Sequence, residues 1–213
     1  MAGVTMPTAK GNLLLNYEKE QEHMDLHNHV FRISLGGPIY RVPIPSNVHR
    51  VLDLGTGTGI WTFDVADEHP SAKVIKNDLS PIQPAYVPPN CRFVIDNIEA
   101  AWTYRLNEAF DYIHDRGLGG SVRGWSLFNL RVYQHLKLGG WVEVQEYEAW
   151  MRSGDDPDLL GCPVVLQRQQ LVDEASIIFG KKVNVADSVK KRLIDAGFEG
   201  VKDDTYKLCS LSK

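Results

Sequence analysis

Residues 51–59 read Val-Leu-Asp-Leu-Gly-Thr-Gly-Thr-Gly: a short apolar strand carries a carboxylate, Asp53, and runs into three glycines at alternate positions, Gly55, Gly57 and Gly59. Residues 60–68 follow with helical apolar spacing. Glycine has no Cβ and tolerates positive φ, so such a turn lets a ligand approach the backbone closely, and the helix start beyond it offers unpaired N–H groups. The chemistry this arrangement suits is the binding of a nucleotide-like cofactor. A dinucleotide fingerprint spaces its glycines Gly-x-Gly-x-x-Gly and sets pyrophosphate on the helix N-terminus. Here the third glycine comes one place earlier, and Asp53 stands inside the strand, where it repels an anion and attracts a cation. S-adenosylmethionine (SAM), with a sulfonium, an ammonium and no phosphate, suits this site better than NAD.

A second strand at 73–77 ends in Asp78, about 20 residues past the glycine turn, where an acid at a strand tip can accept bonds from both ribose hydroxyls. Thr56 in the turn and Leu79 beside Asp78 join the candidate cofactor contacts, as do Asp96, Asn97 and His114 at later strand ends. His114 is also the candidate general base should the acceptor be a hydroxyl. Arg116 could orient an acidic substrate, though pairing with a local carboxylate is the more ordinary reading.

Those positions need a scaffold. After a loose tail at 1–12, residues 16–35 read as an N-terminal helix stopped by Gly36-Gly37-Pro38. A cofactor-binding core at 48–150 then alternates: strand 50–54, helix 59–68, strand 73–77, a Pro-rich turn at 81–89, strand 92–95, strand 110–114, helix 124–137 and strand 141–146. Residues 160–208 read as two helices and a final strand at 201–208, with Pro163 in a first helical turn, Gly180 as a stop and Asp187 as a cap. Such alternation predicts an α/β fold, a parallel sheet with helices on both faces, whose ligands sit at the carboxyl ends of the strands near the switch in strand order.

Composition narrows the classes. The 213 residues are 43% hydrophobic, enough for one core. A formal net charge of −4 leaves no electrostatic footprint for nucleic acid, and the basic patches at 181–182 and 190–192 read as solvated helix surface. Cys91, Cys162 and Cys209 read as free thiols of a reducing compartment. Without an apolar run of membrane-spanning length or a signal-peptide pattern, the expectation is a cytoplasmic or nuclear protein that needs no membrane. His23 and His27 share a helix face, but no acid cluster accompanies them, so no metal site is expected.

The motifs Asp53-x-Gly55-x-Gly57-x-Gly59, Asp78-Leu79-Ser80-Pro81, Phe110-Asp111-Tyr112-Ile113-His114 and Gly139-Gly140-Trp141-Val142-Glu143 resemble class I SAM-dependent methyltransferases, with a Rossmann-like sheet. Gly57-Thr58-Gly59-Ile60-Trp61, Ala66-Asp67-Glu68, Asp78-Leu79-Ser80-Pro81-Ile82-Gln83-Pro84 and Val87-Pro88-Pro89-Asn90 bring the likeness close to fungal LaeA-like methyltransferases, over about Leu13 to Leu208. The resemblance implies that Asp53 and the glycines hold the methionine end of SAM, with Asp78 on the ribose. It places Asn97, next to Asp96, where the family sets an aspartate for the adenine amino group. It also implies a sheet without the family's seventh strand, leaving an edge to be closed by pairing of strands five and six, by a homodimer or by a partner chain. The activity implied is methyl transfer to a small-molecule or protein acceptor in fungal secondary metabolism or its regulation. The alternatives are a catalytically silent regulatory or heteromeric subunit and a non-methylating cyclase.

Overall fold

The computed structural model describes residues 18–84, 86–156 and 158–206. The expected tail at 1–12, the first residues of the expected N-terminal helix and Cys209 lie outside them. Helix α1 spans Glu18–Ser34, and the core then runs β1 (Arg50–Leu54), α2 (Ile60–Glu68), β2 (Lys73–Asp78), β3 (Cys91–Ile95), β4 (Phe110–Arg116), α3 (Trp125–His135) and β5 (Leu136–Gln145). Helices α4 (Pro163–Phe179) and α5 (Val189–Ala196) follow.

The five strands form one parallel sheet in the order β3-β2-β1-β4-β5. Strand alternation assigns its two faces. Val51, Val74 and Tyr112 pack with Trp61, Val65 and Ala66 of α2 on one side. Leu52, Ile75 and Ile113 pack with Phe128 and Val132 of α3 on the other. A run such as Val-Leu-Asp-Leu, buried at every position from Val51 to Leu54, reads as a central strand because both faces are covered by helices. The sequence order reverses between β1 and β4, so their carboxyl ends border the crevice where this architecture binds ligands.

Several expectations shift. Strand β4 continues through Arg116, and β5 begins at Leu136 rather than Trp141, with a register irregularity opposite Phe110–Tyr112 that absorbs Gly139 and Gly140. Gly139 takes φ +77, a conformation that breaks the strand's hydrophobic pattern and hid its first half from the sequence. Asp187 sits inside a 3-10 turn (Ala186–Ser188), and Ser188 precedes α5 in the capping position without a side-chain bond. Gly180 and Gly197 end α4 and α5 in the left-handed conformation, the common helix stop.

The final strand expected at 201–208 is not formed over 201–206, and 207–208 lie outside the described residues. Lys202, Asp203 and Asp204 are exposed, so this stretch has no apolar face to bury against the sheet. Consequently β5 pairs with β4 alone among the described residues, and the anticipated closure by a sixth strand is absent there. No described helix is long and apolar enough to cross a membrane.

Candidate functional site

The glycine turn is built from its own hydrogen bonds. The N–H groups of Gly55 and Thr56 both donate to the Asn77 carbonyl (2.9 and 3.0 Å), tying the end of β1 to β2. Gly57 N–H donates to Asp78 Oδ2 at 2.7 Å, and Ser80 N–H donates to Oδ1 at 2.8 Å. Gln83, in the loop after β2, donates from Nε2 to the Gly57 carbonyl at 2.6 Å. Gly55, Gly57 and Gly59 adopt φ of +69, +58 and +86, the left-handed region that side chains other than glycine enter at a cost. A Cβ on Gly55 would stand 2.4 Å from Leu118 Cδ2, and one on Gly57 2.7 Å from Met24 Cε. A strand-tip carboxylate beside a left-handed glycine turn fits a nucleoside cofactor, and the Lys76 ammonium lies 3.0 Å from where a Cβ on Gly59 would stand.

Asp53 is more deeply engaged than the sequence implied. It is 3% exposed, and its oxygens accept from Thr62 Oγ1 (2.5 Å) and His114 Nδ1 (2.8 Å), while the Thr56 and Thr62 hydroxyls share a bond at 2.7 Å. Burial alone would raise the Asp53 pKa, but the bonds from His114, Thr62 and Thr56 outweigh it and hold the carboxyl below the usual range. Strand register sets the partners: Lys76, Asp53, His114 and Glu143 stand side by side across β2, β1, β4 and β5. The result is a buried belt of ionisable groups beneath α2. Lys76 has no hydrogen-bond partner among the described residues; its ammonium lies 3.9 Å from the Phe63 ring centroid, and burial lowers its pKa. Glu143 accepts from the N–H groups of Arg41 and Val42 and from Gln145 Nε2.

His114 corrects an expectation. The ring is 1% exposed and stacks on Trp61 with centroids 3.6 Å apart and planes 10° from parallel. With Nδ1 on Asp53 and Nε2 buried without a partner among the described residues, neither ring nitrogen is open to a substrate, so the general-base role does not fit its geometry. Sequence placed it at the end of a strand that runs on through Arg116, and could not show that Trp61 would cover it.

The remaining candidates line the other side of the crevice. Leu79 is exposed beside Asp78. Burial raises the Asp78 pKa, opposed by the Ser80 and Gly57 N–H groups. Asp96 N–H pairs with the Asp78 carbonyl at 3.1 Å, bringing the ends of β2 and β3 together. Asn97 Oδ1 takes the Glu99 N–H at 2.9 Å, while one oxygen of Asp96 accepts the Asn97 N–H at 2.8 Å.

Sequence reasoning expected a helix at 16–35 but missed that it covers the turn. Asp25 of α1 accepts from Thr58 Oγ1 at 2.6 Å, Arg32 pairs with Asp64 of α2 at 2.9 Å, and Asn28 accepts from Arg116 at 2.7 Å. The polar and apolar residues of α1 alternate without a clean stripe, so its docking face was not legible. Beyond β4 and β5, burial pushes the Glu146 carboxyl up to about 7, against the opposing Gly119 N–H, which donates to it at 2.9 Å. Asp115, buried beside it without a partner for Oδ1 among the described residues, is pushed well above the usual carboxylate range by burial and by Glu146. No group of three or more metal-ligating side chains occurs among the described residues.

A sequence profile described as a methyltransferase domain matches residues 17–202. The chain belongs to the methyltransferase-domain family. Methyltransferase pytC of Aspergillus terreus is 34% identical over 194 residues, which cover 91% of this chain and 59% of that protein. Secondary metabolism regulator laeA of Aspergillus fumigatus is 39% identical over 162 residues, 75% of this chain and 42% of that one. LAE1 of Cochliobolus heterostrophus, also a secondary metabolism regulator, is 39% identical over 143 residues, 65% of this chain and 46% of that one. This methyltransferase chain therefore spans less than two thirds of the length of those relatives. Two solved structures share the fold. CalO1, a methyltransferase in calicheamicin biosynthesis, superposes with a TM-score of 0.54 at 16% identity, covering 85% of this chain and 50% of that one. Human N-acetylserotonin methyltransferase in complex with SAM gives 0.52 at 17% identity, covering 85% and 48%. CalO1 was solved with SAH bound.

Proposed function

We propose that this methyltransferase holds SAM across the carboxyl ends of β1, β2 and β4 and directs its methyl group to a small-molecule or protein acceptor in fungal secondary metabolism or its regulation. The observation that carries the reading is Asp78, whose carboxylate is fixed at the tip of β2 by Gly57 and Ser80 N–H groups and keeps lone pairs for two ribose hydroxyls. Gly55 and Gly57 let the turn take the left-handed backbone that curves it around the methionine end, with Leu118 and Met24 packed where a Cβ would stand. Leu79 offers an apolar surface to adenine, and the carboxylate of Asp96, with one oxygen uncommitted beside Asn97, accepts from the adenine amino group. Asp53 acts one layer down: it holds Thr56, Thr62 and His114 and contributes negative potential beneath the turn. His114 positions Asp53.

SAM supplies a methyl group on a sulfonium, already activated for in-line displacement. The chain's residues then have to align donor and acceptor, and alignment alone lowers such barriers by about 7–11 kcal/mol. The names of the relatives, a methyltransferase and secondary metabolism regulators, support the biological setting. Incubation with methyl-labelled SAM and fractionated fungal extract tests the transfer. Label appearing in a small-molecule or protein fraction, and lost with Asp78→Ala, is the expected result. Tight SAM binding without transfer to any fraction would instead favour the catalytically silent, regulatory reading.

A further inference from the structure

Asp78 is set for the ribose of SAM and Asp53 contributes negative potential beneath its cationic end, but its α-carboxylate needs a cation. Arg116 is the last residue of β4. Because Leu54, the end of β1, is level with Asp115, Arg116 stands one residue further on, level with the start of the glycine turn. Its guanidinium donates from one terminal nitrogen to Asn28 Oδ1 at 2.7 Å and lies 5.1 Å from the Phe31 ring centroid. Among the described residues no carboxylate comes within ion-pair distance of it, so the ordinary pairing expected from the sequence is not made.

Helix α1 links this cation to the turn. Asn28, itself buried, is one helical turn from Met24, which covers Gly57, and from Asp25, which holds Thr58. Met24, Asn28 and Phe31 therefore lie along one face of α1, Met24 against the glycine turn and Asn28 and Phe31 against Arg116. A half-buried guanidinium with one neutral partner is costly unless an anion completes it, and its planar fork suits a carboxylate bidentately. Asn28 and Phe31 fix that fork in orientation before any ligand arrives.

We propose that Arg116, oriented by Asn28 and Phe31, recognises the α-carboxylate of SAM and makes the cleft selective for the intact amino-acid end of the cofactor. This rests on the reading of the cleft as the SAM site. Calorimetric titration with SAM and with decarboxylated SAM, on wild type and Arg116→Met, tests it. Wild type is expected to prefer SAM by about 10- to 150-fold, the worth of a charge-assisted bond. In Arg116→Met the SAM affinity should fall by that factor while the affinity for decarboxylated SAM stays within about threefold, which also reports that the variant is folded. Equal wild-type affinity for the two ligands overturns the assignment with no variant needed. An equal loss of both in a folded Arg116→Met, or unchanged SAM binding with a raised KM for an acidic acceptor, overturns it as well. Failure of wild type to bind either ligand counts against the SAM reading itself.

Discussion

Asp53→Ala is expected to destabilise the fold by about 3–5 kcal/mol, the cost of removing one partner from a buried charged network. The variant leaves His114 Nδ1 and Thr62 Oγ1 without their acceptor at a position where water cannot replace it, and strips the belt of the charge nearest Lys76. Asp53→Asn, which keeps an oxygen acceptor in the same volume, should cost less. Urea unfolding midpoints of the two variants check this; a loss under about 1 kcal/mol in Asp53→Ala, the size of an ordinary surface effect, would show that the belt is not structural. The pH profile carries the sign. Asp53 is held below its ordinary pKa, so its contribution is complete above about 3.9, the unfolded value, and is lost as pH falls through the lowered folded one. Glu146 acts in the opposite sense, since its carboxyl is raised from 4.5 to about 7. Its share of stability is present below 4.5 and declines as pH rises towards 7, a decline that Glu146→Gln should flatten.

Asp78→Ala is expected to weaken SAM binding by about 1.5–3 kcal/mol, the value of a charged hydrogen bond, with a smaller effect on stability than Asp53→Ala. The difference follows from exposure: Asp53 is sealed in the sheet, whereas Asp78 is half-buried at the tip of β2. Its oxygens also fix the Gly57 and Ser80 N–H groups, so the variant loosens the turn as well as the ribose contact. Burial raises the Asp78 pKa, so SAM affinity in wild type should fall on acidification from a higher pH than an ordinary carboxylate predicts. Equilibrium dialysis with labelled SAM measures both effects; an unchanged dissociation constant in the variant would remove Asp78 from the ribose site.

What was legible in the sequence was whatever obeys a local rule. The strand into the glycine turn, the carboxylate at the next strand tip and the helix stop at Gly180 each depend on a few neighbouring residues. The belt of Lys76, Asp53, His114 and Glu143 was not legible, because it depends on the register of four strands far apart in sequence. Nor was the burial of His114, which Trp61 of α2 produces by stacking on it from the same face of the sheet. The pairing of Arg116 with Asn28 spans 88 residues and joins a helix of weak amphipathic pattern to a strand end. The start of β5 was hidden by two glycines, and the strand expected at 201–208 had residues of fair β propensity, Val201, Thr205 and Tyr206, whose promise the exposed charges between them cancelled.

The central claim is that the crevice between β1 and β4 is a SAM site, and calorimetric titration of the wild-type chain with SAM, with NAD as the comparison ligand, tests it most directly. Saturable SAM binding with a dissociation constant on the order of micromolar, about −8 kcal/mol, and no heat from NAD is the predicted result. NAD binding, or no SAM binding up to roughly millimolar concentrations, an affinity of only about −4 kcal/mol, would contradict it.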